Sequence, residues 1–188
     1  MTEIPARQVR AVYDHHTIRV YQAYSEEIAD SALAHGTFVS PPFKMERMTW
    51  IKPSFLWMMY RAGWGLKDAG QARILAIDIT REGFAWALAN SCPSHAEEGM
   101  SAEDWARLKD RSPVRVQWDP ERNLALDPLP HRSIQIGLGP AAVRLYAGEW
   151  IQRITDVTGL ARTIHELAQA GRKDEAIALL PAERPYAI

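Results

Sequence analysis

Lys52 and Ser54 lie where the strand-like run Arg47 to Lys52 meets Pro53, a residue suited to the first turn of a helix. The first N–H groups of a helix have no partners inside it, and together with the helix dipole they attract anions. Lys52 would add a positive charge to these donors, and Ser54 would add a hydroxyl. The segment therefore predicts a phosphate or carboxylate site, with Arg47 as a further cation and Trp50 as a stacking surface for a ring. The alternative is that Lys52 is a solvated charge and Ser54 an ordinary helix-start residue.

A second candidate segment runs from His131 to Gly139. Its apolar residues alternate, so Ser133, Gln135 and Gly137 are expected on the face opposite Ile134, Ile136 and Leu138. Gly137 would leave room beside Gln135 for a ligand or another backbone. We predict that Arg132 and Gln135 form the far wall of the pocket that contains Lys52 and Ser54.

Other motifs in the sequence do not match a known metal or catalytic site. Cys92 and His95 have metal-like spacing, but the chain lacks a second matching pair, so no metal site is predicted. Neither a nucleophile-elbow motif nor a phosphate-binding glycine loop is present. Asp78 lies inside an apolar run, where a carboxylate is either hydrogen-bonded and structural or part of a site. We favour the structural interpretation.

The elements that must position these residues follow from hydrophobic patterning. The run Arg73 to Thr80 is almost continuously apolar, which predicts a central strand covered on both faces, and Pro53 to Arg61 predicts a buried helix. Asp119 to His131, with three prolines, predicts a loop that forms one wall of the site. From Pro140 onward, helical spacing of apolar residues predicts a helix that extends to Ile154.

Composition bounds the class of protein. The chain has 188 residues, of which 47% are hydrophobic, a content typical of a folded domain. Strand patterns occupy the first three-quarters and helical patterns the end. We therefore predict an α+β fold, with mainly antiparallel sheets, helices packed against them, a helical C-terminal segment, and residues 1–188 in a single globular domain.

Charge and cysteine content limit the classes of partner and the cellular compartment that we expect. The net charge of −1 gives no general attraction to nucleic acid, so such a partner is not favoured. The single Cys92 fits a reducing compartment, and no apolar run is long enough to span a bilayer. The first ten residues lack the apolar core of a signal peptide. We expect a cytoplasmic protein without a membrane partner.

Several segments resemble the family known as domain of unknown function 4291. They are V-R-A-V-Y-D-H-H-T-I-R-V-Y-Q-A-Y, R-M-T-W-I-K-P-S-F-L-W-M-M-Y-R, V-R-V-Q-W-D-P-E-R, R-S-I-Q-I-G-L and L-L-P-A-E-R-P-Y. The resemblance covers nearly the whole chain and is specific. It implies membership of a family without an assigned reaction.

The order of elements in the first half is similar to the ADP-ribosyltransferase-like fold, which binds NAD between two small sheets. That resemblance implies NAD as a candidate cofactor. It also implies site positions at Arg19, Ser54 and Gln135, where Gln135 replaces the Glu common in those enzymes.

Three hypotheses about function follow. The leading one is a protein that binds, and in one version transforms, a nucleotide-like or otherwise anionic ligand at Arg47, Trp50, Lys52, Ser54, Arg132 and Gln135. The first alternative is an NAD-consuming ADP-ribosyltransferase-like enzyme. The second is a nucleic-acid-binding module without catalytic activity. The sequence leaves open which ligand binds, whether a reaction follows and how many copies assemble.

Overall fold

A computed structural model describes residues 4–188. The strands are β1 Arg10–Ala11, β2 Thr17–Tyr24, β3 Thr49–Ile51, β4 Arg73–Thr80, β5 Ser91–Pro93, β6 Val114–Arg122, β7 Pro128–Leu138, β8 Ile151–Asp156 and β9 Arg184–Pro185. The helices are α1 Glu26–His35, α2 Phe55–Ala62, α3 Arg81–Ala89, α4 Ala102–Arg111, α5 Pro140–Leu145, α6 Thr158–Gln169 and α7 Lys173–Leu179. The predicted α+β class, with mainly antiparallel pairing, is confirmed.

Two larger sheets organise the described part of the chain. The first sheet has the order β2-β4-β8 and is antiparallel throughout. The second sheet has the order β3-β7-β6-β5, with β5 parallel to β6. The two sheets meet at an antiparallel bridge between Tyr21 of β2 and Lys52, the residue after β3. This bridge places the predicted anion-binding segment at the junction of the sheets.

Strand β4 is the centre of the first sheet, as its sequence predicted. Alternate residues enter two hydrophobic clusters: Leu75, Ile77 and Ile79 belong to cluster 1, and Ile74 and Ala76 to cluster 2. Cluster 1 also contains the apolar face of β7, whereas cluster 2 contains α2 and α6. Because both faces are covered, a nearly continuous apolar run is the expected composition of this strand.

Local capping residues set both ends of helix α2. The Ser54 hydroxyl accepts the Trp57 N–H at 3.1 Å, and Gly63 ends the helix in the left-handed conformation at φ 53°. Phe55, Met58 and Met59 are buried, so the predicted buried helix is confirmed. In the described residues, no helix combines the length and the apolarity needed to cross a membrane.

Two predictions about elements were wrong. The apolar residues after Pro140 do not form one helix through Ile154, because α5 ends at Leu145, a π turn spans Tyr146–Trp150, and β8 begins at Ile151. The segment Asp119 to His131 is largely strand, since β6 and β7 pair through it as a hairpin. The backbone hydrogen bonds available along a neighbouring strand outweighed the local helical spacing and the prolines in these two places.

Candidate functional site

A cavity of about 600 Å³ opens at the junction of the two sheets. Its walls come from the end of β2, the start of α1, the connection into β3, helix α2, and the turn before β4. The lining residues are Gln22, Ala23, Tyr24, Ser25, Ile28, Pro42, Phe43, Lys44, Arg47, Met48, Thr49, Trp50, Lys52, Met58, Arg61, Asp68, Gly70 and Gln71. A cavity of this size can enclose much of a small ligand.

Lys52 is the most unusual residue of this cavity, because it is only 6% exposed. Its Nζ donates to the Trp50 carbonyl at 3.5 Å, the long limit for a hydrogen bond. Among residues 4–188, the structure shows no carboxylate within 4.0 Å of this nitrogen. The pKa of Lys52 is lowered to about 7, mainly by burial and also by the nearby Arg61 charge, while Asp119 opposes both.

A buried polar network fixes the wall beside Lys52. The Tyr146 hydroxyl donates to Gln22 Oε1 at 2.7 Å, and Gln22 Nε2 donates to the Tyr24 hydroxyl at 2.9 Å. The same nitrogen donates to the Trp50 carbonyl at 3.2 Å, so this oxygen accepts from both Gln22 and Lys52. Tyr24 uses an acceptor lone pair in this network, and Thr49 is a second hydrogen-bonding neighbour of its hydroxyl.

Positive charge predominates in the described lining of the cavity. Lys44, Arg47, Lys52 and Arg61 line it, against Asp68 as the acidic lining residue. Arg47 and Arg61 are exposed at the rim, whereas Lys52 lies inside. Cations that line a concave, partly dry site raise the local concentration of anions. The arrangement can therefore hold a negatively charged group close to Lys52.

Trp50 lines the cavity, and its side chain also packs so close to Gly137 that only glycine fits there. The two residues are paired across β3 and β7, and a Cβ on Gly137 would lie 2.9 Å from Trp50 Cζ2 and 3.0 Å from Met48 Sδ. The space predicted beside Gln135 is thus filled by the protein's own side chains. A ligand has no access to the face of Gly137 that these side chains cover.

The N-terminus of α2 is occupied by the protein itself. Glu183 Oε1 accepts the Phe55 N–H at 2.7 Å, and the Ser54 hydroxyl donates to Glu121 Oε1 at 2.8 Å. Ser54 is 1% exposed and does not line the cavity. The unpaired N–H groups at this helix N-terminus find acceptors within the chain, in Glu183 and Ser54, and a ligand anion at this position stays a prediction.

Gln135 lies near Lys52 without reaching the cavity. Its Nε2 donates to Asp119 Oδ2 at 2.7 Å, and Gln117 Nε2 donates to the other carboxylate oxygen at 2.9 Å. The charge of Asp119 acts on Lys52, so the two candidate segments do approach each other through this carboxylate. Gln135 thereby positions a counter-charge behind Lys52.

The structure does not bring Arg132 and Arg19 to the cavity. Arg132 is exposed, and its guanidinium donates to the Trp118 carbonyl at 3.0 Å. Arg19 makes two hydrogen bonds to Asp78, at 2.8 and 3.0 Å, and Arg153 binds the same carboxylate at 2.8 Å. Although burial acts to raise it, these bonds hold the pKa of Asp78 below its usual value. Asp78 therefore has the structural role that we favoured.

The hairpin predicted to be a wall of the site lines a different cavity. Its tip, at Asn123 to Leu126, faces Trp64 and His165 across a second cavity of about 580 Å³. Sequence reasoning also missed Gln22, Tyr24 and Arg61 as cavity residues. A polar Gln inside the strand-forming run Thr17 to Tyr24 was the available signal for the first, since a buried amide requires partners.

Comparison with known proteins identifies a family that the chain matches. A family model described as domain of unknown function (DUF4291) matches residues 8–186, nearly the whole chain. No curated protein matches the sequence. The description of the matching family specifies neither a ligand nor a reaction.

Proposed function

The chain belongs to the DUF4291 family, and from the cavity between its two sheets we propose that it binds a small anionic, nucleotide-like ligand. Lys52, Arg47 and Arg61 hold the anionic group in this proposal. Trp50 and Tyr24 contact the ring. Ser54, Arg132 and Gln135 act outside the contact surface, because each is engaged elsewhere in the protein.

The observation that carries the proposal is the burial of Lys52 without a carboxylate at contact distance. Placing an ammonium in a poorly solvated position costs free energy unless an anion compensates for it. Asp119 raises the pKa of Lys52 but makes no ion pair with it within 4.0 Å in the part of the chain described. A bound phosphate or carboxylate would supply the missing charge and favour the protonated lysine.

Aromatic groups in the lining support a ring-bearing ligand. Trp50 is partly exposed within the cavity, and Tyr24 presents a hydroxyl that Gln22 holds in place. An indole face contributes stacking energy to a nucleobase or similar ring, and the tyrosine proton supplies a directional donor. NAD satisfies this chemistry as one member of a wider class of nucleotides.

The two alternatives are each disfavoured by a different observation. The transferase hypothesis relied on Arg19, Ser54 and Gln135, and each of these side chains is bound to a carboxylate of the protein. The nucleic-acid hypothesis requires an extended basic surface, whereas the net charge of −1 gives no general attraction to nucleic acid, and the cavity gathers only four of the 22 Lys and Arg residues. Neither alternative gains a specific observation in its favour.

Calorimetry with ADP, pyrophosphate and adenosine tests the proposal. We expect ADP to bind, and Arg61→Met to weaken its binding by about 1–3 kcal/mol through the loss of a charge-assisted contact. Arg162→Met is the matched control, because Arg162 is an exposed helical arginine outside the cavity. Equal affinities of the two variants for ADP would contradict the proposal.

The pH dependence provides a second readout that is specific to Lys52. Affinity for ADP should rise as the pH falls through 7, because Lys52 gains its charge there. Lys52→Met should reduce this dependence to the part that belongs to the ligand's own phosphate, whereas Arg61→Met should retain a lysine titration. A steep loss of affinity for oligonucleotides with added salt would instead favour nucleic-acid binding.

A further inference from the structure

The same lysine has a chemical capacity beyond attracting charge. An ordinary lysine is protonated at neutral pH and is not a nucleophile, because its lone pair holds a proton. Lys52 is 6% exposed and makes one long hydrogen bond, to the Trp50 carbonyl at 3.5 Å. That bond uses an N–H donor and does not engage a lone pair, so the neutral amine would be free to attack a ligand in the cavity.

We propose that Lys52 is a nucleophilic amine that forms an imine with a small aldehyde or ketone bearing a phosphate or carboxylate group. The inference deepens the proposed function and rests on it, because the cations of the cavity must hold the anionic end of the substrate. Arg61 and Arg47 line the same cavity at its rim, where that end would bind. The carbonyl end is then directed toward the buried amine.

The step balances without a further reactant. The neutral Lys52 Nζ attacks the carbonyl carbon and forms a C–N bond, and proton transfer gives a carbinolamine. The carbinolamine then loses its oxygen as water, which takes up the amine protons, and a C=N bond remains. Oxidation states do not change, so neither an oxidant nor a reductant is needed.

Tyr24 is placed to assist the loss of water. Tyr24 lines the cavity, and its hydroxyl accepts from Gln22 Nε2, the nitrogen that also donates to the Trp50 carbonyl. Tyr24 and Lys52 are therefore linked through Gln22 and one carbonyl oxygen. A donor held in this way can give its proton to the departing oxygen and take back the remaining proton from the nitrogen as the C=N bond forms. Burial raises the pKa of Tyr24, so the phenol is neutral before and after the step.

The charged groups around Lys52 favour the neutral amine. Burial acts first, Arg61 on α2 adds positive charge, and Asp119 on β6 opposes them, so that the pKa of Lys52 falls to about 7. Arg47 and Lys44 add positive charge in the same cavity. A buried lysine shifted in this way is the type that serves as a Schiff-base residue.

Pyridoxal 5′-phosphate, an aromatic aldehyde with a phosphate group, is a suitable probe for the full-length protein. Imine formation is followed by absorbance, and borohydride reduction followed by peptide mass mapping locates the adduct. At pH 7.5 we expect Lys52 to be modified at least about tenfold faster than Lys44 or Lys67, since each pKa unit changes the neutral fraction about tenfold. Lys52→Arg should lose the adduct, while Lys67→Arg should retain it.

The rate of adduct formation against pH tests the cause of the reactivity. The profile should have its midpoint near pH 7, and Arg61→Met should shift that midpoint upward because it removes a neighbouring cation. A purely structural role for Arg61 would leave the midpoint unchanged. An unshifted profile, or equal modification of Lys44 and Lys52, would overturn the inference.

The outcomes separate this inference from the proposed function. If pyridoxal 5′-phosphate displaces ADP but leaves no reducible adduct on Lys52, the imine chemistry is overturned and anion binding stands. If neither ligand binds, the proposed function fails, and the imine inference that depends on it fails with it. An adduct on Lys52 that ADP prevents would support both.

Discussion

Lys52 is useful to the cavity because it is buried, and its burial makes the stability of the fold depend on pH. Its pKa is about 7 in the folded protein and 10.5 in a solvated lysine. Between these two values the unfolded chain binds more protons than the folded one. The free energy of unfolding contributed by this residue therefore rises as the pH rises from 7 to 10.5, and it is lost as the pH falls to 7.

Lys52→Met tests that residue-scale argument. The methionine keeps most of the side-chain volume and removes the ionisation. Wild type should therefore gain stability relative to the variant as the pH rises above 7. The expected slope is at most about 1.4 kcal/mol per pH unit. Urea unfolding at pH 6.5, 8 and 9 measures it. Lys67→Met, at an exposed lysine, is the control, and a parallel response of both variants would refute the argument.

At the scale of elements, helix α3 packs closely against the π turn that precedes β8. Gly83 of this helix faces Trp150, and a Cβ at Gly83 would lie 2.4 Å from Trp150 Cγ. Trp150 also packs against Trp86, with ring centroids 5.5 Å apart. Neither partner can move freely, because both belong to cluster 1 or pack against it.

Gly83→Ala is expected to lower the free energy of unfolding by about 2–3 kcal/mol, the cost of overpacking a close contact. Gly159→Ala, in helix α6, is the matched control, because an added Cβ there meets no described heavy atom within 4 Å. Its stability should stay within about 0.5 kcal/mol of wild type or increase. Chemical denaturation of both variants measures the contrast, and equal losses would show that Trp150 does not limit the site.

The C-terminal segment acts as an external cap on helix α2 through Glu183. The pKa of Glu183 is raised to about 8, mainly by burial; the Phe55 N–H acts against the rise, the charge of Glu121 adds to it, and Arg10 acts against it. A solvated glutamate has a pKa of 4.5. Because the folded state binds the proton more tightly, the stability from this residue is present below pH 4.5 and is lost as the pH rises toward 8.

Glu183→Gln retains an acceptor for the Phe55 N–H and removes the charge. Relative to this variant, wild type should lose stability between pH 5 and 8, and Glu183→Ala should cost about 1 kcal/mol at pH 5 through loss of the cap. Thermal unfolding across this pH range is the measurement. Glu166→Gln, at an exposed helical position, serves as the control. A wild-type protein that gains stability relative to Glu183→Gln as the pH rises would contradict the assignment.

At the scale of the whole molecule, strand β4 contributes to both hydrophobic clusters. Leu75 and Ile77 face cluster 1, whereas Ile74 and Ala76 face cluster 2, so displacement of this one strand disrupts both clusters. We predict that residues 4–188 unfold in one cooperative transition, as expected for a single domain.

Hydrogen exchange measured by mass spectrometry tests this coupling. If unfolding is cooperative, Gly83→Ala, which perturbs cluster 1, should lower the protection of slow-exchanging amides in α2 and α6 of cluster 2 by the same free energy. Gly159→Ala should leave that protection unchanged. A loss of protection confined to the elements of cluster 1 would instead show two independently stable units.

Local sequence patterns were sufficient for the elements whose burial is uniform along their length. The apolar run Arg73 to Thr80 predicted a strand covered on both faces, and the composition after Pro53 predicted a buried helix. Resemblance of several segments was enough to identify the family. The chemistry of the α2 N-terminus was also visible, since its unpaired N–H groups require acceptors whatever the tertiary structure.

Only the tertiary structure decided which distant residues met. Helical spacing from Val143 to Ile154 was real, yet Ile151 to Asp156 became a strand because the edge of β4 offered backbone partners. The acceptor at α2 proved to be Glu183, 128 positions from Phe55. Lys52 lines the same cavity as Gln22 and Tyr24 because the bridge from Tyr21 to Lys52 joins the two sheets. Periodicity and caps depend on neighbours along the chain, whereas a cavity depends on the pairing of strands that the sequence keeps far apart.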